Sequence, residues 1–193
     1  MFKPTRLILA SASPRRKELL STIVSNFEIV APQVHEIYPS HLSGNAIPEY
    51  LSLLKIYAVK PKFSNDTFIL CADTVVLLEG EVLEKPQHRQ EAILMLQKLS
   101  GKHHEVVTAL AWSFKGKEGV CSDSTKVYFK DLSSVEIEYY VDTFKPYDKA
   151  GSYGIQDWIG QIGITRIEGS FYTVMGLPVH LVYSVLHREL GTT

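Results

Sequence analysis

Leu7-Ile8-Leu9-Ala10-Ser11-Ala12-Ser13-Pro14-Arg15-Arg16-Lys17-Glu18-Leu19-Leu20 begins as a β-prone apolar run, passes through small residues, and ends with apolar side chains at helical spacing. This predicts strand, tight loop and helix. Ser13 is the expected N-cap and Pro14 the first helical residue, because proline lacks the N–H that would be orphaned there. Small residues at Ser11, Ala12 and Ser13 let the backbone approach a ligand, while the N–H groups of the helix start face outward as an anion cradle. Arg15 and Arg16 fall in the first turn, where positive charge opposes the helix dipole at a cost of about 0.3–1 kcal/mol unless an anion compensates. Either a phosphate binds there or two arginines are simply solvated.

Beyond this unit, Phe68 to Cys71 is a second apolar run that meets Ala72-Asp73-Thr74, continues as Val75 to Leu78, and turns at Glu79-Gly80-Glu81 into Val82-Leu83. Leu51 to Val59 reads as helical, Pro39 to Pro48 as a loop, and Arg89 to Leu99 as a helix closed by Ser100-Gly101. Val106 to Trp112 and Thr125 to Phe129 suggest strands around a Lys115 to Gly119 turn. Ser133-Ser134-Val135-Glu136 matches a capping box, with Ile137, Tyr140 and Val141 on one helix face. Gly151 to Gly163 reads as a glycine-rich connection, Ile164 to Ile167 as a strand and Pro178 to Leu190 as a closing helix. Strands and helices alternate without a strict βαβ rhythm, so a mixed α/β or α+β fold is expected.

The chain has 193 residues and a net charge of −1, with 45% hydrophobic residues. At that length roughly 70% of the unfolded surface can be buried, so neither disulfides nor a structural metal is required for a core. Near-neutral charge argues against a basic nucleic-acid binder. Cys71 and Cys121 are too few for a disulfide scaffold, and no zinc spacing is present. The apolar run within Met1 to Ala10 is too short for a signal or a membrane span, so a cytoplasmic protein with reduced thiols and no membrane partner is expected. No repeat or low-complexity tract marks a boundary, and residues 1–193 read as one domain, in a single body or in two lobes around a cleft.

P-loop, Rossmann, nucleophile-elbow and zincin signatures are all missing. What remains is a set of polar residues placed where strands are expected to end. Asp73 is a carboxylate flanked by apolar residues: a metal ligand, a general base for water, or a strand-end cap. Lys85 follows the hairpin directly, and Lys55 lies in an apolar helical stretch; each is a phosphate ligand or a solvated surface residue. Asp148-Lys149-Ala150-Gly151-Ser152-Tyr153-Gly154-Ile155-Gln156 is a loop that closes over a ligand or a plain surface turn.

Together these segments resemble the Maf family, the septum-formation inhibitor-like nucleoside triphosphate pyrophosphatases. The resemblance rests on the segment from Leu9 to Leu20, Ala72-Asp73-Thr74, Glu84-Lys85-Pro86, Leu99-Ser100-Gly101 with Val107-Thr108-Ala109, the Asp148 to Gln156 segment, and Gly169-Ser170 with Val174-Met175-Gly176-Leu177-Pro178. It spans nearly the whole chain. It implies an inosine triphosphate pyrophosphatase-like fold, an elongated mixed sheet flanked by helices with a central cleft. Arg15, Thr74 and Gln156 match the residues that mark the dTTP/UTP branch. The family's Leu-Ala-x-x-Lys-Ala helix corresponds to Leu51 to Ile56, which makes Lys55 the phosphate-site lysine with Lys60 as the alternative. The family's acidic pair is His35-Glu36 here, so Glu36 is carried over. A homodimer and a role in septum formation are further implications; a nucleotide-binding regulator with little or no hydrolysis is the alternative reading.

The implied reaction splits the α–β phosphate bond, giving monophosphate and pyrophosphate. Water is the expected nucleophile and Asp73 its proton acceptor, although a free Asp near pKa ~3.9 is a poor base unless it is desolvated or a metal shares the work. Mg²⁺ or Mn²⁺ on Glu36 and Asp73 would supply that. Arg15, Lys55 and Lys85 would offset charge on the departing pyrophosphate, with Ser11, Ser13 and Arg16 lining the phosphate cradle. Gln156, one acceptor and one donor, suits the edge of uracil or thymine. Thr74 would pin that amide, by the resemblance alone.

Overall fold

The computed structural model describes residues 6–191. Of the opening Met1 to Ala10 stretch, residues 1–5 lie outside the described residues. In chain order the elements are β1 (Arg6–Leu9), α1 (Pro14–Ser21), β2 (Glu28–Ile29), α2 (Ala46–Val59), β3 (Thr67–Leu78), β4 (Glu81–Leu83), α3 (Arg89–Leu99), β5 (His103–Phe114), β6 (Lys117–Phe129), α4 (Ser134–Phe144), α5 (Trp158–Gly163), β7 (Ile164–Glu168), α6 (Phe171–Met175) and α7 (Val179–Leu190). The mixed sheet runs β2-β1-β3-β5-β6-β7, with β4 paired to β3. β1 is parallel to β2 and to β3, whereas β3/β4 and β6/β7 are antiparallel. The expected mixed α/β fold is what the chain adopts.

Two compact units are distinguishable among the described residues, one of residues 6–73, 108–123 and 176–191, the other of residues 74–107 and 124–175. The first holds β1, α1, β2, α2 and α7. Its apolar cluster includes Ile8, Ile56, Val59, Ile69 and Ala111. On α2 the buried residues Ile47, Leu51, Lys55 and Val59 recur every four positions, so a lysine occupies a place on the core-facing stripe. The second unit holds β4, α3, α4, α5, β7 and α6, around Leu96, Leu99, Val127, Phe129, Tyr140 and Ile159.

Both hairpins turn through two residues with positive φ: Glu79 and Gly80 at +53° and +87°, Lys115 and Gly116 at +49° and +76°. That is the left-handed pair that matches strand twist in a two-residue loop, and it confines the expected Lys115 to Gly119 turn to its first two residues. Other expectations are corrected. Pro39 to Pro48 is not wholly loop, since α2 begins at Ala46 with Pro48 tolerated in its first turn. Gly151 to Gly163 is not merely a connection: it carries a 3-10 turn at Ala150–Ser152 and the whole of α5. Glycine's low helix propensity is overridden there by packing. A Cβ on Gly160 would fall 2.0 Å from the Ile155 carbonyl oxygen, and one on Gly163 would press on Leu132 and Phe129. The short elements β2 and α6 have no periodic signal long enough to announce them.

The capping box at the start of α4 forms as its sequence predicts. Ser133 Oγ accepts from the Glu136 N–H, and Glu136 Oε2 accepts from the Ser133 N–H at 2.8 Å. Lys130 and the Ser133 N–H pull the Glu136 carboxyl down to about 2. Ser133→Ala should cost about 1 kcal/mol, lowering the melting midpoint by about 2–4 °C in calorimetry. Glu136's depressed pKa means that its stabilising contribution is full above its ordinary value of 4.5 and fades as pH falls toward about 2.

Candidate functional site

In the first unit, Asp73 lies in β3 and is 5% exposed. It is not at a strand end, as the sequence suggested, but inside a continuous 12-residue strand. Chain polarity misled here, because an Asp reads as a strand breaker unless a partner compensates it, and the partner comes from a different element. Lys55 of α2, also 5% exposed, donates from Nζ to Asp73 Oδ1. The same ammonium lies 2.8 Å from Glu36 Oε2 in the segment after β2, so two carboxylates share one cation. Glu36 remains 45% exposed on its side chain, and this ion triad therefore reaches from the core to solvent.

Burial is the main influence on Asp73 and pushes its pKa above the ordinary aspartate value; Lys55 and Arg16 pull it down without reversing the direction, and Glu36 adds to the rise. A carboxylate so placed is a better base than a free Asp. Cys71 stands two residues earlier on the same face of β3. Its thiol donates to the Ala10 carbonyl oxygen, and burial pushes its pKa up to about 12, so at neutral pH it is a thiol and not a nucleophilic thiolate.

Arg16 reaches this site from α1. Its field acts on both Asp73 and Cys71, while its Nε donates to the Gly176 carbonyl oxygen at 2.8 Å. That anchor comes from the Val174 to Pro178 segment, 160 residues away in sequence, and no local pattern announces it. Ser13 caps α1 as expected, accepting from the Arg16 N–H, and Ser11 Oγ accepts from the Ser13 N–H at 3.1 Å. Ser11, Ser13, Arg15, Arg16, Glu36, Lys55 and Asp73 thus all belong to the first unit. Lys60, the alternative to Lys55, instead pairs with Glu118 at 2.5 Å.

Thr74, Lys85 and Gln156 belong to the second unit. Lys85 is exposed in the segment after β4. Gln156 sits in a turn closed by the Asp157 N–H donating to the Gly154 carbonyl oxygen, and its Oε1 is buried with no hydrogen-bond partner. A buried acceptor left unpaired costs about 1–3 kcal/mol, which suits a position that a ligand N–H would fill. Sequence reasoning passes over two neighbours of this turn, Tyr140 and Asp157: Tyr140 reads as a plain core residue of α4, and Asp157 as part of a glycine-rich connection.

The model of the Maf-like protein family matches residues 6–189. This chain belongs to the Maf-like family. A dTTP/UTP pyrophosphatase of Porphyromonas gingivalis (strain ATCC BAA-308 / W83) is 49% identical, over 98% of this chain and 96% of the relative. One from Cytophaga hutchinsonii is 47% identical, over 95% of this chain and 84% of the relative, and one from Bacteroides thetaiotaomicron is 44% identical, over 95% of each. The structure of the Staphylococcus aureus Ham1 protein superposes with a TM-score of 0.52 at 14% identity, covering 95% of this chain and 99% of that one, a likeness of fold. No helix among the described residues is long and apolar enough to cross a membrane.

The Maf-like site residue Lys55 makes a direct test of the electrostatics. Lys55→Met removes the cation that most strongly lowers the Asp73 pKa while keeping an unbranched side chain on the α2 stripe. Carboxyl ¹³C NMR should then show Asp73 titrating at higher pH than in the wild type. An unchanged or lowered midpoint would break the ion-triad account.

Proposed function

We propose that this Maf-like protein hydrolyses dTTP and UTP to the monophosphate and pyrophosphate, and that residues 1–193 act as one pyrophosphatase domain. The observation that carries the reading is the Asp73 carboxylate, buried, raised in pKa, and held by Lys55 within the field of Arg16 at the start of α1. The activity named for its relatives needs such a group beside phosphate-binding cations. Modified pyrimidine triphosphates are a natural extension of the substrate class. The two free cysteines suit a reducing, cytoplasmic setting.

In this reading water attacks the α-phosphorus. The bond from that phosphorus to the α–β bridging oxygen breaks, its electron pair leaves with pyrophosphate, and Asp73 takes the proton of the water. Lys55 keeps the Asp73 carboxylate charged and oriented. Arg15, Arg16 and Lys85 meet phosphate oxygens, Arg15 by a two-point grip and Lys85 as a point charge, with Ser11 and Ser13 shaping the loop that presents backbone N–H groups. Gln156 meets the uracil or thymine edge with its unpaired Oε1 accepting the ring N–H, and Thr74 supports that choice.

The donor chemistry suits a divalent ion. Glu36 and Asp73 lie close enough to share one ammonium, and no cluster of three His, Cys, Asp or Glu forms among the described residues. Two carboxylates are what Mg²⁺ takes from a protein when substrate phosphates and water complete its shell. Glu36 and Asp73 would hold it, and when bound it would acidify the attacking water and neutralise phosphate oxygens.

Incubation of the protein and Mg²⁺ with dTTP, UTP, CTP and GTP should release pyrophosphate, fastest from dTTP and UTP. Release of orthophosphate alone, or a preference for GTP, would sink the assignment; tight UTP binding without cleavage across several divalent ions would favour a regulator. Asp73→Asn should lower kcat by about 10²–10⁴ with KM held within a few-fold. A fully active variant would remove Asp73 from the chemistry.

A further inference from the structure

We infer that Tyr140 is a positioning residue for base discrimination: its phenol clamps both ends of the Gly154–Asp157 turn and thereby fixes the backbone from which Gln156 reaches the base. The inference rests on the reading of Gln156 as the group that meets the pyrimidine edge. Tyr140 is fully buried on the core face of α4 with Ile137 and Val141. Packing alone asks only for an aromatic ring there. Its hydroxyl does more: it donates to Asp157 Oδ2 at 2.7 Å and accepts from the Gly154 N–H at 3.1 Å. The Asp157 N–H closes the same turn onto the Gly154 carbonyl oxygen at 3.0 Å. One phenolic oxygen thus holds the first and last residues of a four-residue turn whose third member is Gln156.

The surroundings leave this turn little slack. A Cβ on Gly154 would fall 2.6 Å from Asp157 Oδ2, and one on Gly160 would meet the Ile155 carbonyl oxygen. Just before the turn, the Tyr153 hydroxyl is bound to His104 Nε2 at 2.7 Å, and Ile155 is buried in the core. Burial and the Asp157 carboxylate raise the Tyr140 pKa, so the phenol keeps the proton it donates. Such stiffness matters because a glutamine amide accepts or donates depending on its orientation. Uracil presents a ring N–H where cytosine presents a bare nitrogen, so a Gln free to rotate would serve either base. A clamped turn holds the Gln156 backbone in the place from which its amide takes the orientation seen here, with Oε1 buried and left unpaired for a ring N–H.

Steady-state kinetics with UTP and CTP test this on Tyr140→Phe, Asp157→Ala, Asp157→Asn and Gln156→Ala. Tyr140→Phe keeps the ring and removes only the clamp. It should cut the UTP:CTP ratio of kcat/KM by about fivefold or more through a raised KM for UTP, with kcat within about twofold. Asp157→Ala should do the same, and it carries the test if the phenylalanine variant fails to fold. Asp157→Asn retains an oxygen that accepts from the phenol and should keep the ratio within about twofold of wild type, whereas a merely structural loss would lower turnover of UTP and CTP together and leave their ratio unchanged. If Gln156→Ala flattens the ratio while Tyr140→Phe and Asp157→Ala leave it intact, the clamp is wrong and the base-reading role stands. If Gln156→Ala itself leaves the ratio intact, the base-reading role falls and the clamp falls with it.

Discussion

The ammonium of Lys55, set on the core-facing stripe of α2 and shared by Asp73 and Glu36, is the constraint around which the first unit is arranged. Removing a charge from water costs several kcal/mol per ion even after relaxation, and an ion pair returns that only with good geometry. An apolar side chain at position 55 would continue the stripe of Ile47, Leu51 and Val59 at lower cost. A buried pair of this kind is weak evidence for stability and better evidence for a task. Under the proposed hydrolysis that task is proton transfer: burial raises the Asp73 pKa toward that of a useful base while the ammonium favours the charged form.

Legibility in the sequence follows the range of the interaction. α1 is readable because its signals are adjacent: Ser13 caps, Pro14 opens, and Leu19 and Leu20 face the core. The capping box of α4 and the span of α3 are readable for the same reason. Lys55 is half readable, since its four-residue spacing from Leu51 and Val59 by itself marks a position on the apolar stripe of a helix. What that lysine meets is not readable from its own helix, because Asp73 is 18 residues away in another element. The Arg16 anchor on Gly176 lies farther still.

The glycine-rich segment shows the opposite failure. Local propensity argues for loose chain from Gly151 to Gly163, and the structure has tight turns and a helix instead. Its glycines sit where neighbouring atoms already fill the Cβ position, so they mark close packing and not freedom. Asp157 and Tyr140 escape notice because each looks ordinary alone. Their shared hydrogen bond, with that of the Gly154 N–H to the same phenol and the turn's own backbone bond, ties down the segment that carries Gln156.

The same contrast separates the groups suited to chemistry from those suited to holding shape. Cys71 and Asp73 lie two residues apart on one strand face, both almost wholly buried and both raised in pKa. For the thiol, burial near pKa 12 means permanent protonation and no nucleophile at neutral pH. For the carboxyl, with its far lower starting value, a rise brings it toward neutrality while Lys55 and Arg16 keep the charged form accessible. Burial therefore silences one neighbour and tunes the other. That removes the Cys71 thiol as a nucleophile in the first unit, while the turn that carries Gln156 is held separately in the second.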